Sequence, residues 1–465
     1  MTKIDSSMRY LVKKIFRIII VNRWYTVLSI IYSLVIKELT PEGKIKHPYK
    51  QAKNNKLTIL VLSVNGFRSD IDCITKTNEI RVLLIPEHWQ TRLVYQFYPV
   101  ELQKYCFQNN PDHLDYKYRK EQKEIREFLY GFLETLYKRV VIDCVISPHP
   151  RYMADMDWGA VSTKLGVPHI LLARDSQFAS SSFLLKMHKH IFSNDFPKFE
   201  GKHIIIQSEL DREVYVDSGY AKSEMISSLG RPRMDKFIKN VNKKGFIVKK
   251  RRKKVVLLPF FCREYGIFEK SDLSSYVREV NLFFVHLSIR YPEIDVVIKT
   301  KPKGIKEMQE SLSSAALKEL NVELNTIPNL IIRGDIDLHS LFIESDVVCG
   351  LHTSALLEAA VIGLPIIIPY FNDLQNPKYD ERLYYREAYD LFDIAEDTDE
   401  FESLILKRLD NPSIDDTIIK KRYCLFEKFI SNLEGKATEQ YVACIKEVIT
   451  REDNKKNNRQ NSCCN

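Results

Sequence analysis

The sequence lacks several patterns that would assign it to a common class of protein. None of its nine cysteines stands in a CxxC pair or at the spacing of a zinc site. Most of them fall inside apolar segments, so we expect buried free thiols in a reducing compartment. The chain also has no GxxxxGK[ST] and no GxGxxG, the glycine-rich loops that hold phosphates in P-loop and NAD enzymes. ATPases, kinases and NAD-dependent enzymes are therefore disfavoured.

Hydrophobic runs long enough to cross a bilayer are also missing. In the N-terminal segment the longest charge-free run, Trp24 to Ile36, has 13 residues, whereas a spanning helix needs about 20. Charges interrupt this segment and no small-residue cleavage site follows it, which disfavours a secretory signal. With 45% hydrophobic and 28% charged residues, the composition is that of a globular protein.

Outside its N-terminus the chain has no excess of either charge. The net charge is +9, and residues 1–56 alone hold 12 Lys/Arg against 3 Asp/Glu. The remaining sequence is neutral in sum, so nothing predicts nucleic-acid binding. The basic, aromatic-containing segment 10–36 predicts an amphipathic helix on an anionic membrane surface. The alternative is a helix packed on the first domain, with its cations extended into water.

Short apolar runs alternate with helical stretches along most of the chain. This alternation predicts an α/β protein with parallel, doubly wound sheets. Eight cations between Lys243 and Lys254 indicate a solvated linker between two such sheets. The predicted segments are a basic leader at 1–56, a Rossmann-like domain at 57–240, the linker at 241–254, a second Rossmann-like domain at 255–410, C-terminal helices at 411–450 and a disordered tail at 451–465.

The richest stretch is IIRGDIDLHSLFIESDVVCGLHTSALLEAAVIGLPIIIPY, from Ile331 to Tyr370. Asp346–Leu351 reads as a buried strand that ends in His352-Thr353-Ser354, where the next helix must begin. Free backbone N–H groups at such a helix start suit a diphosphate. Glu358 lies one turn further on the same face, where it could bind ribose hydroxyls. The alternative is any βαβ unit whose Thr and Ser only cap the helix.

This stretch resembles the donor-binding half of GT-B glycosyltransferases, especially the bacterial surface-polysaccharide and CDP-glycerol glycerophosphotransferase-like group. The "EAA..G.P.I" pattern begins at Glu358. Leu229–Pro232 is similar to the segment that closes the first domain of the family. Lys299–Pro302 is similar to its "vKpHP" element, with lysine in the histidine position. The resemblance covers about residues 140 to 410 and implies two Rossmann-like domains with an interdomain cleft, plus C-terminal helices that cross back to the first domain.

The resemblance and the strand ends together give three sets of candidate residues. Donor binding is expected at Arg263, Lys299, Lys301, His352, Thr353, Ser354 and Glu358. The acceptor side of the cleft is expected at Asn65, Gly66, Arg151, Gly230 and Arg231. A base that deprotonates the acceptor is expected among His149, Asp155 and Asp175, while Asp157 is expected to cap its helix. An enzyme that retains configuration would need no dedicated base.

The resemblance implies a metal-independent transferase without a cofactor. Asp155-Met156-Asp157 has DxD spacing but not the apolar strand-end setting of a metal-binding DxD. The enzyme is expected to be cytoplasmic, peripheral to the inner face of the plasma membrane, and to transfer a sugar or glycerol-phosphate-like unit to a lipid-linked or growing surface polysaccharide. The alternatives are a UDP-GlcNAc 2-epimerase-like enzyme and a catalytically silent GT-B scaffold in a polysaccharide assembly complex.

Overall fold

In the computed structural model the chain divides into two α/β units, each built on one sheet. The structure describes residues 6–47, 56–99, 117–150, 152–173, 180–242, 252–260 and 273–462. The first unit contains Met1–Ser176, His188–Asp235 and Glu434–Asn465, and the second contains Gln177–Met187 and Lys236–Leu433. The division falls at Asp235, before the predicted linker 241–254, of which residues 243–251 lie outside the described part.

The second unit has a six-stranded sheet in which all neighbours are parallel. Its strands are short and rich in Val, Ile and Leu, and most are buried, as a sheet covered on both faces requires. The spatial order β11-β10-β9-β12-β13-β14 is the 3-2-1-4-5-6 order of doubly wound folds. The strands are β9 Lys254–Leu258, β10 Asp295–Lys299, β11 Leu330–Arg333, β12 Val347–Gly350, β13 Ile366–Pro369 and β14 Asp393–Ala395.

Helices connect successive strands of the second unit, as parallel pairing demands. In the described part of the chain, the helices that lie wholly in this unit are α10 Ser274–Arg290, α11 Ile305–Leu320, α12 Leu338–Ile343, α13 Ala355–Ala360, α14 Pro377–Asp380, α15 Thr398–Asp410 and α16 Asp416–Phe429. Two of these helices, α15 and α16, follow the last strand.

The first unit has an eight-stranded sheet with the order β2-β1-β4-β3-β5-β6-β7-β8. Six strands pair in parallel, whereas β1 and β2 form an antiparallel ribbon on the β4 edge. The prediction of two doubly wound parallel sheets is thus confirmed, and the ribbon is an unpredicted addition. The strands are β1 Lys37–Leu39, β2 Ile45–Lys46, β3 Thr58–Val61, β4 Arg81–Leu84, β5 Cys144–Ser147, β6 His169–Leu172, β7 His203–Ile206 and β8 Ile226–Ser228.

Most of the remaining helices belong to the first unit. Two of them, Ser182–Asn194 and Asp235–Asn242, have residues in both units. They are α1 Ser6–Val21, α2 Tyr25–Val35, α3 Arg68–Lys76, α4 Glu87–Val94, α5 Arg119–Arg139, α6 Met153–Lys164, α7 Ser182–Asn194, α8 Glu209–Asp217, α9 Asp235–Asn242 and α17 Ala437–Ser462.

The described residues of segment 1–56 do not form a separate leader, which corrects the predicted boundary. Helices α1 and α2 pack on the first unit, and the strands that follow them extend its sheet. The Tyr25 ring meets Phe128 of α5 at 5.3 Å between centroids. Gly131 makes this approach possible, because a Cβ there would lie 2.5 Å from the Tyr25 ring. The inner faces of both helices therefore belong to the core of this unit.

The C-terminal segment returns to the first unit as one long helix, α17. The Asp235 carboxylate accepts hydrogen bonds from the N–H groups of Ala437 and Thr438, at 3.0 and 2.7 Å, and so caps the helix start. The helix runs to Ser462, so the predicted disordered tail from 451 is wrong for residues 451–462. An ion pair of 2.9 Å between Lys202 and Glu452 ties this part to the unit. Of the helices predicted at 411–450, α16 belongs to the second unit.

Within the described ranges, none of the helices combines the length and the apolar character needed to span a bilayer.

Candidate functional site

The second sheet has a topological switch point between β9 and β12, its first and fourth strands in chain order. The two strands pair in parallel through Leu258 and Gly350 at their carboxyl ends. A Cβ on Gly350 would lie 3.0 Å from the Leu258 carbonyl oxygen, so glycine allows the strands to close up here. In doubly wound sheets the ligand crevice lies outside the strand ends at this point. The loop that follows β12 is therefore the candidate donor-side site.

His352 lies in this loop with a left-handed backbone, at φ 53°. Its ring stacks on Tyr384 at 3.5 Å and meets Phe260 edge-on at 5.6 Å. The Tyr384 N–H donates to Nδ1 over 3.2 Å, and burial lowers the pKa of His352 to about 3. The imidazole is therefore neutral at pH 7, with its proton on Nε2. It can offer an N–H donor to a ligand but not a positive charge.

Thr353 and Ser354 differ in how they meet the helix start. The Ala355 N–H donates to Thr353 Oγ1 at 3.3 Å, whereas Ser354 has helical backbone angles and makes no side-chain cap. Helix α13 has only six residues, so its dipole is short. The loop residues, rather than a long helix, must supply the contacts at this position.

Glu358 is buried one turn into α13, where its Oε2 lies 2.9 Å from His339 Nε2. The His339 ring stacks on Phe237 at 4.2 Å. One carboxylate oxygen is thus held by a histidine that is itself 21% exposed. His339 could not be predicted from the sequence, because nothing in its local pattern connects it to a residue 19 positions later.

The two lysines near the end of β10 have different surroundings. Lys299 donates to the carbonyl oxygens of Thr300 and Gly334, at 2.8 and 3.0 Å, and burial lowers its pKa. Lys301 is exposed at the start of the turn Pro302–Gly304. Only the second lysine is placed to meet a phosphate in solvent. Arg263 lies outside the described residues.

Asp155 is fully buried in the first turn of α6, beside the strand ends of the first sheet. Its Oδ1 accepts hydrogen bonds from Ser63 Oγ, at 2.9 Å, and from Gln90 Nε2, and Oδ2 has no partner among the described residues. Burial raises the pKa of this carboxyl to about 7, against the smaller opposing effect of the two donors. The group can therefore hold a proton near neutral pH.

Asp157 does not cap its helix, because α6 begins at Met153. It lies inside the helix, fully buried, and accepts from Tyr98 Oη at 2.6 Å and from Arg126 Nε at 2.7 Å. His149 follows β5, is 6% exposed and lies 5.3 Å from the Tyr152 ring. Its role as a base, like that of Asp155, stays a prediction. Arg151 and Asp175 lie outside the described residues.

Asn65 lines a pocket of about 480 Å³ at the carboxyl ends of β3 and β4. Its Nδ2 donates to Glu87 Oε2 at 2.8 Å, and Gly66 ends the short helical turn that carries it. The pocket wall is mixed, with a carboxylate, cations, a hydroxyl and apolar side chains. Its lining residues are Lys37, Ile45, Val64, Asn65, Arg68, Leu84, Ile85, Pro86, Glu87, His88 and Thr91.

Gly230 and Arg231 pack inside the first unit rather than on this pocket. Gly230 has φ 77°, which suits glycine, and its carbonyl oxygen accepts from Tyr441 Oη of α17 at 2.9 Å. The Arg231 side chain is 3% exposed. Gly230 therefore helps to hold the last helix in place, and Arg231 is buried beside it in the chain. Among the described residues, no group of three or more His, Cys, Asp and Glu side chains could hold a metal ion.

No family model and no curated protein sequence matches the chain. Among solved structures it is similar to UDP-GlcNAc 2-epimerase from Neisseria meningitidis, at 11% identity over 84% of this chain and 100% of that one, with a TM-score of 0.45. It is also similar to the wall teichoic acid polymerase TagF, at 13% identity over 68% and 75%, TM-score 0.43. A third is MurG from Acinetobacter baumannii, at 12% identity over 84% and 99%, TM-score 0.41. At such low identities and scores, activity must be judged from the residues of this chain.

Proposed function

We propose that this chain is a GT-B glycosyltransferase. It moves a sugar, or a glycerol-phosphate-like unit, from a nucleotide-activated donor to a lipid-linked or growing surface polysaccharide. The observation that carries the proposal is the strand-end loop at the switch point of the second sheet, which holds a neutral, buried His352 close in sequence to the buried Glu358–His339 pair.

The donor side of the proposal follows from the state of these groups. A neutral imidazole with its proton on Nε2 donates to a phosphate oxygen or a sugar hydroxyl without holding the leaving group by charge. Glu358 accepts from ribose hydroxyls, with His339 fixing its orientation. Lys301, exposed two residues after β10, supplies a positive charge for the diphosphate. Stabilisation of a leaving diphosphate by such preorganised donors requires no proton transfer to the nucleotide.

The acceptor side is proposed at the strand ends of the first unit. The pocket around Asn65 offers hydrogen-bonding groups of both kinds, which suits a hydroxyl-rich acceptor. His149 and Asp155 are the described candidates for the base. Asp155 has a pKa of about 7, in the range where a carboxyl can exchange protons at physiological pH. The enzyme is proposed to work in the cytoplasm at the inner face of the membrane, since the lipid-linked acceptor would be presented there.

Nucleotide binding tests the donor site directly. CMP, CDP, UDP and GDP are titrated against the wild-type protein, followed by ligand-detected NMR and by thermal shift. We expect one base to bind selectively. In His352→Asn, which tolerates the left-handed backbone, and in Glu358→Gln, affinity should fall about tenfold or more because a polar partner is lost. Glu310→Gln, an exposed glutamate of the same unit, is the matched control and should bind like wild type.

The possible outcomes separate the rival functions. If no nucleotide binds to the folded protein, the transferase proposal is wrong and the silent scaffold is favoured. If binding is selective but unchanged in both variants, the donor site lies elsewhere. If bound UDP-GlcNAc is epimerised without an acceptor, the protein is an epimerase. Acceptor-dependent release of nucleotide supports the transferase. The released nucleotide is a nucleoside diphosphate if a sugar is transferred and a nucleoside monophosphate if a glycerol-phosphate unit is transferred.

A further inference from the structure

The N-terminal helices α1 and α2 have two apolar faces, of which the unit covers only one. Phe16, Tyr32 and their neighbours are buried against the first unit. A second set of large hydrophobic side chains points to solvent, each more than 40% exposed. This outward face consists of Ile15, Ile18, Val21, Trp24, Val27, Ile30 and Leu34.

The spacing of the outward residues follows the helical period, so they form a stripe on each helix. Between the stripes lies the turn that joins the helices, where Trp24 is 51% exposed and Val21 is 71% exposed. Isolated apolar residues on a surface are ordinary, but a contiguous group of this kind marks a contact surface. Tryptophan in particular favours the interface between water and lipid.

The charges around the outward face have one sign. No Asp or Glu occurs between Ser6 and Ile36, whereas this range contains five Lys and Arg residues. Lys14, Arg17 and Arg23 are exposed among the apolar side chains. A protein partner or a second copy of this hairpin would have to place like charges together or supply carboxylates that the hairpin lacks. An anionic bilayer provides both the apolar phase and the negative headgroups.

The inner face holds the hairpin in place. Tyr32 Oη donates to the Trp89 carbonyl oxygen at 2.8 Å, and Arg139 Nε donates to Ser29 Oγ at 2.7 Å. The Tyr32 ring also meets Phe132 edge-on at 4.8 Å. Phe16 of α1 meets the Trp89 ring at 5.9 Å, and α1 packs on α2. Because both helices are held by such contacts, the outward face is presented by a folded element. Binding to a surface then requires little ordering of the chain.

We propose that the outward face of α1 and α2 docks the enzyme on an anionic lipid bilayer. Val21, Trp24 and Leu34 enter the interfacial region, and Lys14, Arg17 and Arg23 bind lipid phosphates. This surface would be the membrane contact of the transferase proposed above. Its biological role rests on that proposed function, whereas lipid binding itself does not. It corrects the interpretation of segment 10–36 as a single helix, because two packed helices form the surface.

Co-sedimentation of the full chain with vesicles tests the proposal. One vesicle population contains phosphatidylcholine alone, and the other contains phosphatidylglycerol in addition. We expect binding to the anionic vesicles that weakens as salt rises. The apolar variant, Val21→Ser with Trp24→Ser and Leu34→Ser, and the charge variant, Lys14→Glu with Arg17→Glu, should each bind about tenfold or more weakly.

The control is a matched change on an exposed helix face of the second unit, Leu317→Ser with Lys318→Glu, since Leu317 is 55% exposed. It should bind vesicles like wild type. All variants change surface residues, so each should keep the wild-type melting temperature and nucleotide affinity. Retained nucleotide binding in a vesicle-defective variant shows that docking and donor recognition fail independently.

Three results would overturn the proposal. The first is absence of binding to anionic vesicles by the folded wild-type chain. The second is unchanged vesicle binding in both hairpin variants. The third is a dimer that forms without lipid and is lost in the apolar variant, which would assign the face to a second copy of the chain.

Discussion

The strand ends of the two units carry polar side chains in opposite settings. In the second unit, His352 and Lys301 lie in loops directly after strands. In the first unit, Asp155 and Asp157 lie inside a helix and are fully buried. In the same doubly wound pattern, residues of the loop after a strand thus lie beside the ligand crevice. Residues that come one helical turn later are packed inside the unit.

The buried carboxyl groups also differ in the partner that offsets the cost of burying their charge. Asp157 faces the guanidinium of Arg126 at 2.7 Å, whereas Asp155 receives only neutral donors from Ser63 and Gln90. Glu358 of the second unit has a histidine partner. A buried carboxylate with a cation can stay charged, and one without a cation is pushed toward its neutral form. The comparison therefore predicts different responses of Asp157 and Asp155 to mutation and pH.

The largest expected effect comes from removing the cation of Asp157. Arg126→Ala leaves a fully buried carboxylate with Tyr98 as its remaining polar partner. The free energy of unfolding should fall by about 3–5 kcal/mol, as when one member of a buried ion pair is lost. Urea unfolding measures this change, with Lys123→Ala on the same helix as the control. The Lys123 side chain is 79% exposed, so its removal should lower the free energy of unfolding by less than about 0.5 kcal/mol. Equal costs for the two variants would contradict a buried, charge-dependent contact.

A smaller, pH-dependent effect is expected at Asp155. Because its pKa rises from 3.8 to about 7 on folding, ionisation works against the folded state. Its favourable contribution is complete below pH 3.8 and is lost as pH rises toward 7 and above. Asp155→Asn keeps an acceptor for Ser63 and Gln90 without the charge. At pH 8 it should stabilise the protein by about 2 kcal/mol, under a ceiling of about 4 kcal/mol at 1.36 kcal/mol per pH unit.

At pH 4 the same substitution should leave stability nearly unchanged, which serves as the internal control for Asp155. Thermal unfolding at both pH values measures the difference. A variant that destabilises equally at pH 4 and pH 8 would show that the carboxyl group is ionised and compensated in the folded protein.

The sequence predicted the second unit more fully than the first. Short β-branched runs marked its strands well: the run Asp346–Leu351 contains β12, observed at Val347–Gly350. The ribbon β1–β2 escaped prediction because each strand has three residues or fewer. The position of this ribbon depends on β4, where Arg81 binds Glu38 of β1, a residue 43 positions earlier in the chain. Pairing over such distances leaves no trace in a local pattern.

For the candidate site, the sequence proposed residues but could not give their ionisation states or contacts. Strand ends and the family resemblance identified His352 and Glu358. They did not give the neutral imidazole, which depends on the Tyr384 N–H 32 residues away, or the contact with His339. They also did not show that the Lys299 ammonium is bound to backbone carbonyls. Side-chain ionisation depends on tertiary neighbours, and these are set only by the complete fold.

The smallest expected effect separates the two lysines of the second unit. Lys299→Met removes a donor from the Thr300 and Gly334 carbonyls, so unfolding free energy should fall by about 1 kcal/mol, with nucleotide affinity changed less than about twofold. Lys301→Met, at an exposed position, should change the free energy of unfolding by less than about 0.5 kcal/mol. It should weaken nucleotide binding about fivefold, because an exposed ammonium contributes about 1 kcal/mol toward a phosphate. Thermal unfolding and nucleotide titration on both variants measure the two effects. In the reverse pattern, nucleotide affinity would be lost in Lys299→Met and kept in Lys301→Met. That result would show that Lys299 leaves its backbone carbonyls to bind the donor. The carboxyl end of β10 would then change its contacts when the ligand binds.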